Sequence, residues 1–362
     1  MADTEFLTGN ALTVKKWSAL LYRQALANTF FGKFVGKTSG DIIQTKTDLL
    51  KEKGDKIAFG LRMKLDGAGI AGDQDIEGNE EALIFHDWLM TINLRGHGVR
   101  SKGKMSARRT AFDIKMEAKI ALGDWMTEAI DDDTVCALSG VANSAVDPAS
   151  GLPTIAAVAP SANRVFRGGQ TTGGIISNAT TDASIDNTNH LFGTALLSML
   201  KRKAEMAVPK IRPVKIDGID HYVCFAHPYQ IKAMKNESAW LQAQREANWR
   251  GSKNPIFSGA TGVWDGVIVH EYERVLSRAS GERFETDGGA EQIAATNIAR
   301  ALFCGAQAGA HAYGQYPSWM EKDFDYGRKP GVATDIIYNA GKTRFNNEDF
   351  GVIAVDTAAV VD

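Results

Sequence analysis

The chain has 362 residues, 44% of them hydrophobic and 23% charged, with a formal net charge of −2. This is ordinary globular composition, long enough for two or three compact regions, and it excludes an acidic disordered chain or one drawn to nucleic acid by a global basic field. The three cysteines, Cys136, Cys224 and Cys304, are odd in number and form no Cys-x-x-Cys pair, which argues against a disulfide framework, a zinc site or a thiol redox motif and fits a reducing compartment.

The first residues lack a charged region followed by an apolar run, and no stretch approaches the roughly 20 apolar residues of a membrane span, so neither a signal peptide nor a membrane segment is expected. Residues 1–50 read as an arm. Trp17, Leu20, Leu21, Ala25 and Leu26 recur at helical spacing. Phe30, Phe31 and Phe34 follow, and they need something to pack on, either the chain's own core or a neighbour. Residues 55–65 alternate: Ile57, Phe59, Leu61, Met63 and Leu65 face one way, and Ala58, Gly60, Arg62 and Lys64 the other. That is a strand with one buried face, roughly 30 Å long. A second β-like run covers 82–94.

Between these runs lies LDGAGIAGDQDIEGNEEA, with Gly67, Gly69 and Gly72 spaced as in a dinucleotide-binding loop. Such a loop needs a helix opening at its last glycine. Here several carboxylates and no apolar stripe follow, and those charges would repel a pyrophosphate. The stretch reads instead as a flexible tip joining two strands.

Residues 105–130 form the strongest predicted helix, about 38 Å long. Phe112, Met116, Ile120, Met126 and Ile130 lie near one face, Trp125 and Ala129 widen it, and Ser106 is the expected N-cap. Residues 139–190, rich in Gly, Ser, Thr, Ala and Asn, read as loops with short strands. A helix follows at 191–206, then a short strand, a His227-Pro228 turn and a new helix, then a strand at 266–275. The Ala/Gly-rich stretch 294–314 packs closely in any class, and a strand or two closes the chain. There are no internal repeats, and the pattern is mixed α+β.

Chemical motifs are weak. His86, His97, His190, His221, His227, His270 and His311 read as structural. His270 with Glu271 and Glu273 lacks the second histidine of a helical zinc motif, and on a strand His270 and Glu271 face opposite ways. Asp131, Asp132 and Asp133 read as solvated acid just past a helix end, with divalent-ion binding the alternative. No Gly-x-Ser-x-Gly or phosphate-loop lysine motif is present. No catalytic, cofactor-binding or metal residue is expected.

Charge segregation carries more. From Asp66 to Leu94 there are seven acids, Asp66, Asp73, Asp75, Glu77, Glu80, Glu81 and Asp87, and no Lys or Arg. From Arg95 to Lys119 the bias reverses: Arg95, Arg100, Lys102, Lys104, Arg108, Arg109, Lys115 and Lys119 stand against only Asp113 and Glu117. The acidic tip of one subunit could dock on the basic stretch of the next, which would set register. The two patches could also face each other or water, or the basic one nucleic acid, although no aromatics are interleaved for base stacking.

GDKIAFGLRMKLDGAGIAGDQDIEGNEEAL, HPYQIKAMK and NPIFSGATGVWDGVIVHEYERV, with SANRVF and DFGVIAV, resemble the signature blocks of the N4-type major capsid protein family of tailed bacteriophages. The likeness runs with gaps from Val14 to Val355 and is weakest at 139–190. It implies the HK97-like capsid fold: an N-terminal arm (1–52), an extended β-hairpin loop (53–100), a peripheral domain with a spine helix (101–190, helix 105–130), an axial domain (191–320) and a return to the peripheral domain (321–362). It implies hexamers and pentamers of the chain in an icosahedral shell around double-stranded DNA, assembled in the bacterial cytoplasm with scaffolding, portal and decoration partners. Contact with the packaged DNA would be non-specific, with no membrane, cofactor or enzymatic activity. The expected subunit contacts are Phe59, Asp73, Glu77, Glu80, Glu81, Trp88, Leu89, Arg95, Arg100, Lys104 and Arg108. A tail or decoration component and a soluble nucleotide-binding enzyme are the alternatives.

Overall fold

A computed structural model describes residues 29–50, 54–65, 67, 69–72, 75–105, 114–143, 154–156, 158–216, 218–246, 261–278 and 296–360. Two sheets share one long helix. The first sheet has five strands, in the order β1 (Val35–Gly36), β2 (Ile43–Lys46), β14 (Gly309–Phe324), β15 (Lys329–Lys342) and β5 (Asn93–Arg100). β15 alternates at period two: Val332, Thr334, Ile336, Tyr338 and Ala340 are buried, as a strand covered on one face requires.

The cover is helix α1 (Ile114–Ser139). Ala118, Leu122, Met126 and Ile130, four residues apart, form its buried stripe. Leu122 packs with Trp319 and Val332, and Met126 and Ile130 pack with Tyr313, Ile336 and Tyr338. Two expectations are corrected here. Met116 and Ile120 lie outside the stripe and are exposed. The helix also does not stop before Asp131 but runs to Ser139, so Asp131 and Asp133 are buried rather than solvated. Ser106 and Phe112 lie outside the described residues.

The second sheet has nine strands. Its main path runs β10 (Gly262–Trp264), β11 (Val267–Glu271), β9 (Ile219–Ala226), β13 (Ile298–Cys304), β18 (Val352–Ala358), β6 (Val165–Gln170), β7 (Ile176–Asn178). β8 (Val214–Ile216) pairs with β9, and β12 (Ser277–Arg278) with β13. The central strands are buried on both faces, which explains their near-continuous apolar sequence. Tyr222, Cys224 and Ala226 face the helices α2 (Thr194–Met206), α3 (Pro228–Lys235) and α4 (Ser238–Glu246). His227 caps α3: its Nδ1 accepts from the Tyr229 N–H at 3.3 Å, so its role is structural as expected.

Val223 and Phe225 face the other way, onto Phe31, Phe34, Ile43, Val135 and Leu138. The aromatics after the predicted arm helix therefore pack on the chain's own core, and residues 29–50 belong to the body. Asp131 fastens them there. It accepts from the Phe30 N–H at 2.9 Å and from the Tyr272 hydroxyl at 3.1 Å, and the Phe30 and Tyr272 rings stack at 4.0 Å.

The two sheets meet at the end of α1. Arg300 is buried and binds Asp356 through two hydrogen bonds of 2.7 and 2.8 Å. Its third bond goes to the Ser139 carbonyl at 3.1 Å, at the helix C-terminus where a cation is favoured. β14 runs through residue 320 and β18 lies in the nine-stranded sheet, so the expected last segment, 321–362, divides between the two sheets. No described helix is long and apolar enough to cross a membrane.

Candidate assembly surface

The hairpin of β3 (Lys56–Arg62) and β4 (Phe85–Thr91) forms a two-stranded sheet of its own. Alternation sorts its side chains. Ile57, Phe59 and Met90 pack inward on Ala310 and Ala312 of β14. Trp88 lies 5.0 Å from the Phe59 ring, and its indole approaches Gly341 so closely that a Cβ there would sit 3.0 Å from it. The opposite side of β4 leaves Phe85 64% and Leu89 57% exposed.

Beyond the paired strands, Gly69, Gly72 and Gly78 take left-handed φ values of 71°, 75° and 91°. No helix opens after Gly72 among the described residues, so the phosphate-binding geometry is absent there. The Glu81 carboxylate accepts from the Gly67 N–H and the Glu80 carboxylate from the Gly78 N–H, both at 2.8 Å. These acids thus hold the tip's own backbone and still face solvent, as does Glu77.

The expected contacts divide. Phe59 is 4% exposed inside its own subunit, with the Lys46 ammonium 4.5 Å above its ring, so it is removed from the surface. Arg95 is removed too. It pairs with buried Asp133, which also accepts from Tyr338 and Asn143, and it lies over the Trp125 ring at 5.6 Å. Burial pushes the Asp133 carboxyl up despite the Arg95 charge. Trp88 is half-buried at the hairpin base. Leu89, Glu77, Glu80, Glu81, Arg100 and Lys104 remain on the surface. Asp73 and Arg108 lie outside the described residues.

The structure adds residues that sequence spacing does not reveal. Pairing of Arg100 with Gly331 across β5 and β15 brings the β14–β15 turn beside the basic stretch. The Arg100 guanidinium and the Lys322 ammonium lie 5.4 and 5.3 Å from the Phe324 ring, and Arg328 is exposed on the same turn. Lys322 is more than 200 residues from Arg100 in the chain, so only strand pairing joins them.

No group of three or more His, Cys, Asp or Glu suited to a metal ion occurs among the described residues. The two thiols of the large sheet, Cys224 and Cys304, are fully buried, and burial raises both, Cys224 to about 12. What the chain presents instead is an apolar and acidic hairpin rooted at one end of β14–β15 and a basic patch at the other, on a body with two fully formed sheets.

Residues 5–361 match the profile of the phage capsid protein family. The chain belongs to that family. It is 31% identical over 375 residues to the major capsid protein of Pseudomonas phage KPP25, which covers 98% of this chain and 96% of that capsid protein. Among solved capsids it is similar to that of Ralstonia phage GP4, with a TM-score of 0.77, 30% identity and 92% of each chain covered. The Cyanophage Pam1 capsid matches with a TM-score of 0.71 and 27% identity, again over 92% of each chain. These capsid neighbours carry the HK97-like fold, and this chain mixes helices and strands as that fold does.

Proposed function

We infer that the chain is the major capsid protein of a tailed bacteriophage, the subunit of an icosahedral shell. The observation that carries this is the likeness to capsid subunits, over residues 5–361 for the family and 92% of the chain for the Ralstonia phage GP4 and Cyanophage Pam1 capsids. The finer reading is an N4-type subunit that forms hexamers and pentamers in the host cytoplasm, aided by scaffolding and portal proteins and in some shells by decoration proteins. The five-stranded sheet with α1 serves as the peripheral domain, and the nine-stranded sheet with α2 to α4 as the axial domain.

The work is mechanical and no substrate is transformed. Each subunit makes several modest contacts, and closure holds it at many points at once. The β3–β4 hairpin enlarges the contact area beyond that of the body. Leu89 supplies an apolar contact to a neighbour, and Glu77, Glu80 and Glu81 meet the Arg100, Lys104, Lys322 and Arg328 patch of another copy, fixing register more than adding affinity. A net charge of −2 suits a wall that confines DNA without gripping its phosphates.

Deleting residues 66–80 tests the hairpin's role. The Ile57, Phe59 and Met90 contacts with β14 stay in place, so the expected product is a folded monomer by circular dichroism that forms no shell in sedimentation. Normal shells from the deletion would reject the role. A tail or decoration component would differ in copy number per virion.

A further inference from the structure

Helix α2 has a pocket at its N-terminal end and an apolar protrusion at its C-terminal end. The pocket, of about 250 Å³, is floored by Leu191, Phe192, Ala233 and Val360. That is below the roughly 300–1,000 Å³ of pockets that take drug-sized ligands, so it suits one or two side chains. Buried Gln170 and half-buried Glu237 line it and fasten the helix start. Gln170 Oε1 accepts from the Leu196 N–H at 3.0 Å, and the Glu237 carboxylate accepts from the Thr194 N–H and hydroxyl at 2.9 and 2.6 Å. Glu237 is the single acid of the lining, and no cation pairs with it among the described residues, whereas Lys232, also in the lining, has a partner of its own. On the rim, the Thr171 N–H bonds the Ile175 carbonyl at 2.9 Å, in a turn that leaves Ile175 70% exposed.

The protrusion lies about 18 Å away, at the far end of the 13-residue helix. There Met206 and Val208 are 82% and 84% exposed. Their loop is pinned on both flanks. The Ile211 N–H donates to the Ala204 carbonyl at 3.2 Å, buried Arg164 donates to the Pro209 carbonyl at 2.5 Å, and the Tyr222 hydroxyl donates to the Ile211 carbonyl at 3.1 Å. Apolar side chains held on such a loop need little further ordering to bind. Arg202, one turn before Met206, and Lys210 are exposed beside them. We propose that Met206 and Val208 of one copy fill the α2 pocket of the next copy, with the Arg202 and Lys210 charges set against Glu237. Apolar tips meet an apolar floor, cations meet the one acid of the lining, and exposed Ile175 is covered by the same contact. Protrusion and pocket are different patches at opposite ends of one helix, so the contact is head-to-tail and closes into a ring. Ring closure rests on the shell reading, in which hexamers and pentamers form.

Disulfide trapping in the full-length protein tests this. Val208→Cys is combined with Ala233→Cys, and purified shells are oxidised. The two sites of one copy are too far apart to link, since a disulfide needs its Cα atoms within roughly 7 Å. The native thiols are all buried and do not compete. Non-reducing electrophoresis should give a ladder of linked subunits that stops at the pentamer and hexamer, and none with either single variant. A second variant decides the matter alone if the cysteine pair blocks assembly. Met206→Ser with Val208→Ser changes only exposed positions, so the monomer should keep its melting temperature while the concentration needed for assembly rises roughly tenfold or more. Shells that give no link, a ladder that runs past the hexamer, or a serine variant that assembles at the wild-type concentration overturn the proposal while leaving the shell reading intact. Failure of the wild-type chain to form particles overturns the shell reading itself, and the ring with it.

Discussion

His311 on β14 is enclosed, with its Nε2 3.0 Å from the Thr134 Oγ1. That hydroxyl already donates to the Ile130 carbonyl at 2.7 Å, so it accepts from His311, which fixes the neutral Nε2–H tautomer. Protonating Nδ1 would bury a cation, and burial holds His311 down to about 4. Below pH ~6.5 the unfolded chain takes up this proton and the fold does not, so stability falls as pH drops toward 4. Asp131 and Asp133 oppose this, because burial raises them and they gain a proton first in the fold. Comparison with His311→Gln isolates the histidine. Relative to that variant, wild type should lose roughly 3 kcal/mol between pH 6.5 and 4 in denaturant titrations, and a pH-independent difference would contradict the assignment. Arg300 gives a second prediction at this scale. Arg300→Met leaves Asp356 buried and unpaired and should cost about 3–5 kcal/mol, whereas Arg300→Met with Asp356→Leu should recover most of the loss. A double variant as unstable as the single one would show that packing, not the stranded charge, dominates.

Elements whose contacts are local were legible in the sequence. Period-two alternation placed the inward face of β3 on Ile57 and Phe59, and helical spacing found α2 and α3. β14 escaped because irregularities between Tyr313 and Ser318 break its alternation. The end of α1 escaped because Asp131–Asp133 reads as solvated until its partners are known, and Tyr338 lies 205 residues from Asp133. The same distance effect misplaced Arg95, a basic residue in sequence and an internal partner in the fold. For the hairpin, Glu77→Lys, Glu80→Lys and Glu81→Lys together should slow assembly or misdirect it, by light scattering and negative-stain microscopy. Raising salt should narrow the gap from wild type, since exposed charges are screened. Assembly indifferent to both charge and salt would remove electrostatic docking from the account. Glu81→Gln alone is the control for the tip's own backbone, because its remaining oxygen can still accept from the Gly67 N–H.

At the scale of the whole molecule, the body is already complete in one copy: both sheets are closed over by helices or by residues 29–50, and the Arg300 bond to the Ser139 carbonyl ties the nine-stranded sheet to the end of α1. A single copy leaves apolar side chains exposed on the hairpin and beside it, at Phe85, Leu89 and Leu94, as well as elsewhere, at Met116, Ile120, Met206 and Val208. Exposed apolar surface of that kind is a site for association. A subunit built this way gains further contacts from other copies, which is the claim on which function and charge pairing both depend. Electron cryomicroscopy of the purified full-length protein tests it most directly. The account predicts closed hollow particles in which each hairpin lies across an adjacent subunit, and a protein that remains monomeric at every concentration, with its hairpin folded against its own body, would contradict it.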